Sequence, residues 1–245
     1  MSPWLIGTLI SSKMVAENVK SLTFEVPEWL GHKTGQHCDI RLTSETGYQA
    51  QRSYSIANAP VAGSKLIEFG VQLLDNGEVS PYLWNLALGD KIEIKGPLGG
   101  HFIWSTDMPG PLVLIAGGSG IVPLMAMLRE HVAQKEKITE STRDLVLLIS
   151  ARTKEKVPYY IELEEYKNQY PNIKIFYTLT ENTPAGWTGF SRRVDKEMLA
   201  EIVTGLLDKM PMTYICGPTG FVEAVANTLV EIGINPHSIK TERFG

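Results

Sequence analysis

Four consecutive residues, Arg52-Ser53-Tyr54-Ser55, combine a planar cation, an aromatic ring and two hydroxyls at the start of an expected strand. A flavin needs such groups: a guanidinium fork for its pyrophosphate, a flat group beside its ring, and a hydrogen-bonding partner near N5. A half-buried strand with a surface arginine accounts for the same residues, so this segment does not decide alone. Farther on, Phe69-Gly70-Val71-Gln72-Leu73 reads as a strand, and Asp75-Asn76-Gly77-Glu78-Val79-Ser80 turns into a short helix at Pro81-Tyr82-Leu83. Ser80 is then an N-cap, or the same helix N-terminus receives a phosphate. Gly117-Gly118-Ser119-Gly120-Ile121-Val122-Pro123 lets backbone approach a dinucleotide pyrophosphate closely. It is Gly-x-Gly-x-x-Pro, short of the full dinucleotide fingerprint, and no acid follows at the usual distance. Cys216-Gly217-Pro218-Thr219-Gly220 is a further glycine turn with a thiol at a strand end. The chain closes on Lys240-Thr241-Glu242-Arg243-Phe244-Gly245, which either frays or returns to cover a flat ring.

These segments require two kinds of scaffold. In the first hundred residues apolar side chains alternate: Leu22, Phe24 and Val26; Cys38, Ile40 and Leu42; Ile92 and Ile94. Period two with one buried face means antiparallel strands. Turn signals fall at Gly31, Thr46-Gly47, Asn58-Ala59-Pro60, Asp75-Asn76-Gly77 and Gly96-Pro97. Short strands so spaced predict a closed or nearly closed barrel. After Pro109-Gly110-Pro111 the pattern changes: Leu112–Ala116 is a continuous apolar run, Leu145–Ile149 a second buried strand, and Ile173–Leu179, Met212–Cys216 and Ile239–Phe244 read as further strands. Helices alternate with them. One follows the glycine loop to about Gln134, and one opens at Pro158 with Tyr159, Leu163, Tyr166 and Tyr170 on one face. A third is capped by Asp195 with Met198, Leu199, Ile202, Val203 and Leu206 inward, and a fourth runs from Pro218 to near Gly233. Apolar strands alternating with helices predict a parallel sheet covered on both faces, with ligands at the strands' carboxyl ends. The expected division is an antiparallel β-barrel over 1–108 and an α/β parallel-sheet domain over 109–245.

Composition narrows the class further. The 245 residues carry a net charge of −4 with both signs dispersed, which argues against nucleic-acid binding. No apolar run is long enough to span a bilayer. Met1-Ser2-Pro3-Trp4 lacks the basic region and apolar stretch of a signal peptide, so a cytoplasmic protein, and a monomer, is expected. Two distant cysteines, Cys38 and Cys216, exclude a four-Cys iron–sulfur cluster within this chain, and the five histidines lack metal-ligand spacing.

Taken together and in order, the five segments resemble the ferredoxin–NADP reductase family over nearly the whole chain, from about Trp4 to Gly245. The likeness is greatest to short bacterial ferredoxin or flavodoxin reductases and to oxygenase reductase components without their iron–sulfur domain. The resemblance implies a flavin-binding barrel followed by a nucleotide-binding domain. It places Arg52 on the flavin pyrophosphate, Tyr54 against the isoalloxazine and ribityl, and Ser55 near N5. It puts Val71 and Gln72 along the flavin and makes Gly77, Val79 and Ser80 a second phosphate-binding segment. Gly96-Pro97-Leu98-Gly99 matches the motif closing the barrel. Gly118, Ser119 and Gly120 match the nicotinamide-dinucleotide loop, and Cys216, Gly217 and Pro218 the segment beside the nicotinamide. Glu242 and Phe244 match a terminal acid and an aromatic, the latter stacked where the nicotinamide must go.

The implied activity is hydride transfer between NADPH and bound FAD at Ser55, Cys216, Glu242 and Phe244, with electrons passed to a ferredoxin, flavodoxin or oxygenase. NADPH is expected over NADH, because Arg152, Arg192 and Arg193 match basic positions near a 2′-phosphate and no acid stands at the ribose position. Thr180, where NADPH users often carry a further arginine, weighs the other way. Two rivals are a free-flavin reductase, with flavin as substrate, and a non-catalytic electron-transfer subunit. Tyr54 and the Gly77–Ser80 segment argue against the first, and the intact glycine loops against the second.

Overall fold

The structure, a computed structural model, describes residues 3–137 and 143–244. Met1, Ser2 and Gly245, on which parts of the sequence reading fall, lie outside the described residues. Six strands, β1 (Trp4–Ala16), β2 (Val19–Glu25), β3 (His37–Thr43), β4 (Gln49–Ser55), β5 (Leu66–Gln72) and β6 (Lys91–Leu98), form an antiparallel sheet in the order β4-β3-β6-β1-β2-β5. The sheet curls until its edges nearly meet, where Ile56 bridges Phe69 beyond the end of β4. Its interior holds the alternating side chains that the sequence marks, among them Phe24, Cys38, Ile40, Phe69 and Ile94, all fully buried. A single short helix, α1 (Val79–Trp84), follows β5.

The second sheet is parallel, with β7 (Leu112–Gly117), β8 (Leu145–Ala151), β9 (Ile173–Leu179), β10 (Met212–Pro218) and β11 (Ile239–Phe244) in the order β11-β10-β7-β8-β9. Helices α2 (Ile121–Lys137) and α3 (Tyr160–Gln169) belong to one face, α4 (Lys196–Val203) and α5 (Thr219–Ile232) to the other. From β7 the chain first builds outward through β8 and β9, then returns to place β10 on the other side of β7. Strand order therefore reverses between β7 and β10, where open α/β sheets bind their ligands.

Local departures from the sequence reading have simple causes. Arg52–Ser55 ends β4 rather than opening it, because the polar residues Gln49 and Gln51 already pair with β3. Gly96-Pro97 is not a turn but lies inside β6, with a cis peptide. Helix α2 runs past Gln134 to Lys137. Tyr170 lies just past the end of α3, while Tyr159, in the left-handed conformation, precedes its first turn. Leu206 packs inward from beyond the end of α4.

The two sheets are joined by polar contacts that apolar periodicity does not reveal. Arg129 on α2 donates to Glu68 on β5 (2.8 Å), to the Ala57 carbonyl (2.9 Å) and through two nitrogens to Glu162 on α3 (2.7 and 2.8 Å). Tyr159 Oη and Ser21 Oγ donate to the same Glu68 (3.2 and 2.7 Å). At Gly70 a Cβ would stand 2.4 Å from Val122, so β5 runs directly against the start of α2.

Candidate active site

Two strand registers and one contact across the sheets assemble the site. In the barrel, β3 and β4 pair His37 with Ser55, Cys38 with Tyr54 and Ile40 with Arg52. Directly opposed residues of antiparallel strands have Cβ atoms about 5 Å apart, so His37 is the neighbour of Ser55. In the parallel sheet, β10 and β11 pair Cys216 with Glu242 and Pro218 with Phe244. His37 Nδ1 then lies 3.8 Å from Glu242 Oε1, closing the line Ser55–His37–Glu242–Cys216. The sequence-read residues Ser55, Cys216 and Glu242, far apart in the chain, are thus gathered at one place.

Burial sets their chemistry. It lifts the Glu242 carboxyl to about 7, and Oε2 of that carboxyl is buried without a partner. It lowers His37 below the usual histidine range, against the opposing pull of Asp39. Both groups therefore favour their neutral forms, and Glu242 can hold a proton near neutral pH. The Cys216 thiol is pushed far up by burial and by nearby Glu242, so it remains a thiol and does not act as a thiolate nucleophile. Burial also pushes the Tyr54 phenol up to about 12, and its ring lies 6.4 Å from that of Phe69.

A cleft of 660 Å³ opens at the switch point and is lined by Gln72, Gly118, Ser119, Arg152, Pro218 and Phe244, among others. Gly118 has φ +56° and open space where a Cβ would stand, which leaves its backbone bare to the cleft. Gly120 has a different reason to be glycine, since a Cβ there would fall 2.1 Å from the Cys216 carbonyl oxygen. Gly120 and Gly217 therefore pack behind the cleft and bring β7 and β10 together. Phe244 is 39% exposed at the cleft's edge.

On the barrel side, Arg52 points outward with 61% of its side chain exposed, 3.7 Å from Glu78. Tyr48 Oη donates to the same carboxylate (2.7 Å). Ser80 is not an N-cap. It lies within the first turn of α1, and its Oγ accepts from the Leu74 amide at 3.2 Å. Glu78 holds the cap position without a side-chain bond to the helix. Val71 and Val79 are buried, so only their backbone can face a ligand. An exposed guanidinium and a half-buried phenol fit the anionic and flat parts of a flavin dinucleotide.

The arginines separate. Arg152 follows β8 into the cleft and pairs with Glu181 just beyond β9 (3.5 Å), the two adjoining through the Glu181 amide and Arg152 carbonyl (3.0 Å). Arg192 instead pairs with Asp195, which also caps α4 at the Met198 amide (2.8 Å), and neither Arg192 nor Arg193 lines the cleft. Glu181 is an acid beside Arg152, but it does not itself line the cleft. Sequence reading passes over His37 and Glu78. His37 falls on the polar side of the Cys38-Ile40-Leu42 alternation, and that outward phase is the only signal it gives. Among the described residues no cluster of His, Cys, Asp or Glu could hold a metal, and no helix is long and apolar enough to cross a membrane.

Two family models match: an oxidoreductase FAD-binding domain over residues 7–103 and an oxidoreductase NAD-binding domain over 114–227. NADH-cytochrome b5 reductase 1 of Dictyostelium discoideum is 28% identical over 234 residues, covering 93% of this chain and 78% of the relative. One component of the Na(+)-translocating NADH-quinone reductase of Shewanella denitrificans is 28% identical over 261 residues, covering 99% of this chain but only 60% of the relative. A crystal structure of a ferredoxin NADP+ reductase from Neisseria gonorrhoeae, with bound FAD and NADP, superposes with a TM-score of 0.79 at 18% identity, covering 99% of both chains.

Proposed function

The chain belongs to the ferredoxin–NADP reductase family of FAD- and NAD-binding flavoprotein oxidoreductases, and we propose that it oxidises NADH in preference to NADPH and delivers the electrons to a small redox protein. The observation that carries this reading is the convergence of Ser55, His37, Glu242 and Cys216 beside the cleft that holds Gly118 and Phe244. FAD, when bound, accepts a hydride from a reduced nicotinamide and releases the electrons singly or as a pair. The protein supplies positioning and electrostatics. Arg52, Tyr54, Gln72, Gly77 and Ser80, with the backbone of Val71 and Val79, hold the flavin. Gly118, Ser119 and Pro218 hold the dinucleotide, with Gly120 and Gly217 packed behind them. Phe244 covers the ring site and yields it to the nicotinamide. Ser55 and Cys216 flank the reacting atoms, and Glu242 holds a proton beside them. The division into a flavin-binding unit over 1–108 and a nucleotide-binding unit over 109–245 goes with this assignment.

Nucleotide choice turns on Arg152 and Glu181. Arg152 lines the cleft but is engaged by Glu181 beside it, so a 2′-phosphate dianion would have to compete with that carboxylate for the guanidinium. With Arg192 engaged by Asp195 and Arg193 outside the cleft, Arg152 alone remains there of the three arginines the NADPH expectation draws on, with Lys156 lining the same cleft. The NADH-linked names of the two relatives agree in direction. Ferredoxin, flavodoxin, an oxygenase or a b5-type haem protein all belong to the acceptor class this reading admits. The test is oxidation of NADH and of NADPH by the purified protein with ferricyanide and no added flavin. Faster turnover of NADH is expected. Faster turnover of NADPH contradicts the nucleotide assignment, and activity that requires added flavin makes flavin a substrate.

A further inference from the structure

The segment that follows β8 serves two places at once. Arg152, Lys156 and Pro158 line the cleft at the switch point, while Val157 and Tyr159 anchor the same segment in the core. The segment is also bonded to the tip of the β1–β2 hairpin, which belongs to the barrel. The Glu17 amide donates to the Glu155 carbonyl (2.8 Å), and the Tyr159 amide donates to the Val15 carbonyl (2.9 Å). Asn18, next to Glu17 at the tip, lines the cleft from the barrel side. Its carbonyl accepts from the Leu73 amide just past β5 (3.0 Å), so the tip is held on both sides.

Against these backbone bonds, one side-chain contact across the junction is loose. Lys156 Nζ lies 3.9 Å from Glu17 Oε2, too far for a hydrogen bond, with the two side chains 34% and 61% exposed. So long and solvated an ion pair holds little, and the ammonium keeps donors that Glu17 does not use. Lys156 lines the cleft and Glu17 does not. Among the described residues the lining carries two cations, Arg152 and Lys156, against one acid, Asp75. Each cation is met by an acid from outside the lining, Arg152 by Glu181 and Lys156 by Glu17. Of these two pairs, the one at Lys156 joins the α/β unit to the barrel. A lysine is a compact charge on a flexible stem, so it can exchange one anion for another without moving the backbone that carries it.

Resting on the nucleotide-cleft assignment above, we infer that Lys156 binds the pyrophosphate of the dinucleotide and that Glu17, from the flavin unit, competes with the nucleotide for it. Gly118 and Ser119, which take the pyrophosphate in that assignment, line the same cleft as Lys156, whereas the 2′ position falls to Arg152. An incoming dinucleotide draws the ammonium off Glu17 and exchanges a loose pair between the units for a charge-assisted contact inside the cleft. The pyrophosphate is common to NADH and NADPH, so Lys156 raises affinity for both and does not choose between them. Linkage makes the exchange reciprocal: whatever holds Lys156 on Glu17 weakens nucleotide binding, and bound nucleotide loosens the hairpin contact by the same factor. Glu17 thereby sets nucleotide affinity without touching the nucleotide.

Calorimetric titration of the flavin-loaded full-length protein with NAD+ and with NADP+ tests the exchange without turnover. Lys156→Met is expected to weaken both nucleotides alike by roughly tenfold, the scale of a lost charge-assisted bond. Glu17→Gln should instead tighten both by about two- to fivefold, the scale of a half-exposed ion pair. A merely structural contact would give no gain on losing its acid, so the sign of this change separates the two roles. Once Lys156 is Met, adding Glu17→Gln should change nothing, because Glu17 acts only through the ammonium. Lys156→Arg, which keeps the charge, should restore most of the affinity, and an undiminished visible flavin band reports an intact barrel in each variant. Affinities unchanged by Lys156→Met, no gain from Glu17→Gln, or a gain that persists without the lysine would each overturn the exchange and leave the cleft standing. Weakening confined to NADP+ would overturn the pyrophosphate assignment. A wild-type protein that takes up neither nucleotide would instead overturn the cleft as the nucleotide site, and the role of Lys156 with it.

Discussion

Ser55 and Cys216 come to one point from different sheets, Ser55 beside His37 by register and Cys216 beside Glu242 by register. Neither holds the dinucleotides by charge, so Ser55→Ala and Cys216→Leu should slow reduction of the flavin by tenfold or more, the scale of a lost positioning contact (roughly 1.4 kcal/mol per tenfold), with flavin affinity little changed. Stopped-flow reduction unaltered in both variants would remove them from the reacting centre. Glu242 gives a pH signature. Its carboxyl lies near 7 in the fold against an ordinary 4.5, so folding favours its protonated form. That contribution to stability is fully present below about 4.5 and is lost as pH rises through about 7. His37, lowered by burial, works in the opposite sense, contributing above its ordinary range and losing that contribution as pH falls. Glu242→Gln should flatten the decline in unfolding free energy between pH 4.5 and 7, measured by urea titration at a series of pH values; an unchanged profile would mean that the carboxyl is ionised in the fold. At this scale the sequence was informative where chemistry is local. Arg52, Tyr54 and Ser55 are legible because they are adjacent. His37 and Glu181 are not, because their partners come from other strands and no spacing along the chain encodes that.

Elements carry the glycines that let the site close. Gly120 stands where any Cβ would strike the Cys216 carbonyl at 2.1 Å, so Gly120→Ala must push β10 from the first turn of α2. Overpacking of this kind costs about 1–3 kcal/mol, and thermal melting should show it together with weaker nucleotide binding. Gly118→Ala, with open space at its Cβ, should melt only slightly lower because of its left-handed φ, yet lose nucleotide affinity as strongly. Equal melting losses in the two variants would contradict the division of roles. β7 and β8 are legible as continuous apolar runs because both of their faces are buried, whereas the half-exposed edge strand β11 shows no such run. The sequence places the start of β4 three residues late, because the partly exposed, polar stretch Gln49–Ser53 shows no alternation. β6 passes through Gly96-Pro97, which reads as a turn in sequence and is extended in the barrel.

For the whole molecule, the contact between sheets decides whether flavin and nicotinamide sites face each other. That contact is polar and largely buried around Arg129, whose side chain is 17% exposed and whose guanidinium is held charged by Glu162 and Glu68 despite burial. Removing one member of such a network leaves its partners unpaired, at about 3–5 kcal/mol. Arg129→Ala should therefore lower the melting temperature and slow flavin reduction more than it weakens binding of either dinucleotide. A variant that melts like the wild type would mean that the apolar contact at Gly70 and Val122 suffices. Periodicity predicted two sheets and their order along the chain, but an inter-sheet network built from Glu68, Arg129 and Glu162 has no period to detect. The property on which the proposed function depends most is electron entry from a nicotinamide to a flavin that the protein itself holds. Anaerobic mixing of the purified, flavin-loaded protein with NADH, and separately with NADPH, followed at the visible flavin band, measures it directly. Bleaching by both, faster with NADH, is the result expected; a flavin band that neither nucleotide bleaches would contradict the site built from Ser55, His37, Glu242 and Cys216.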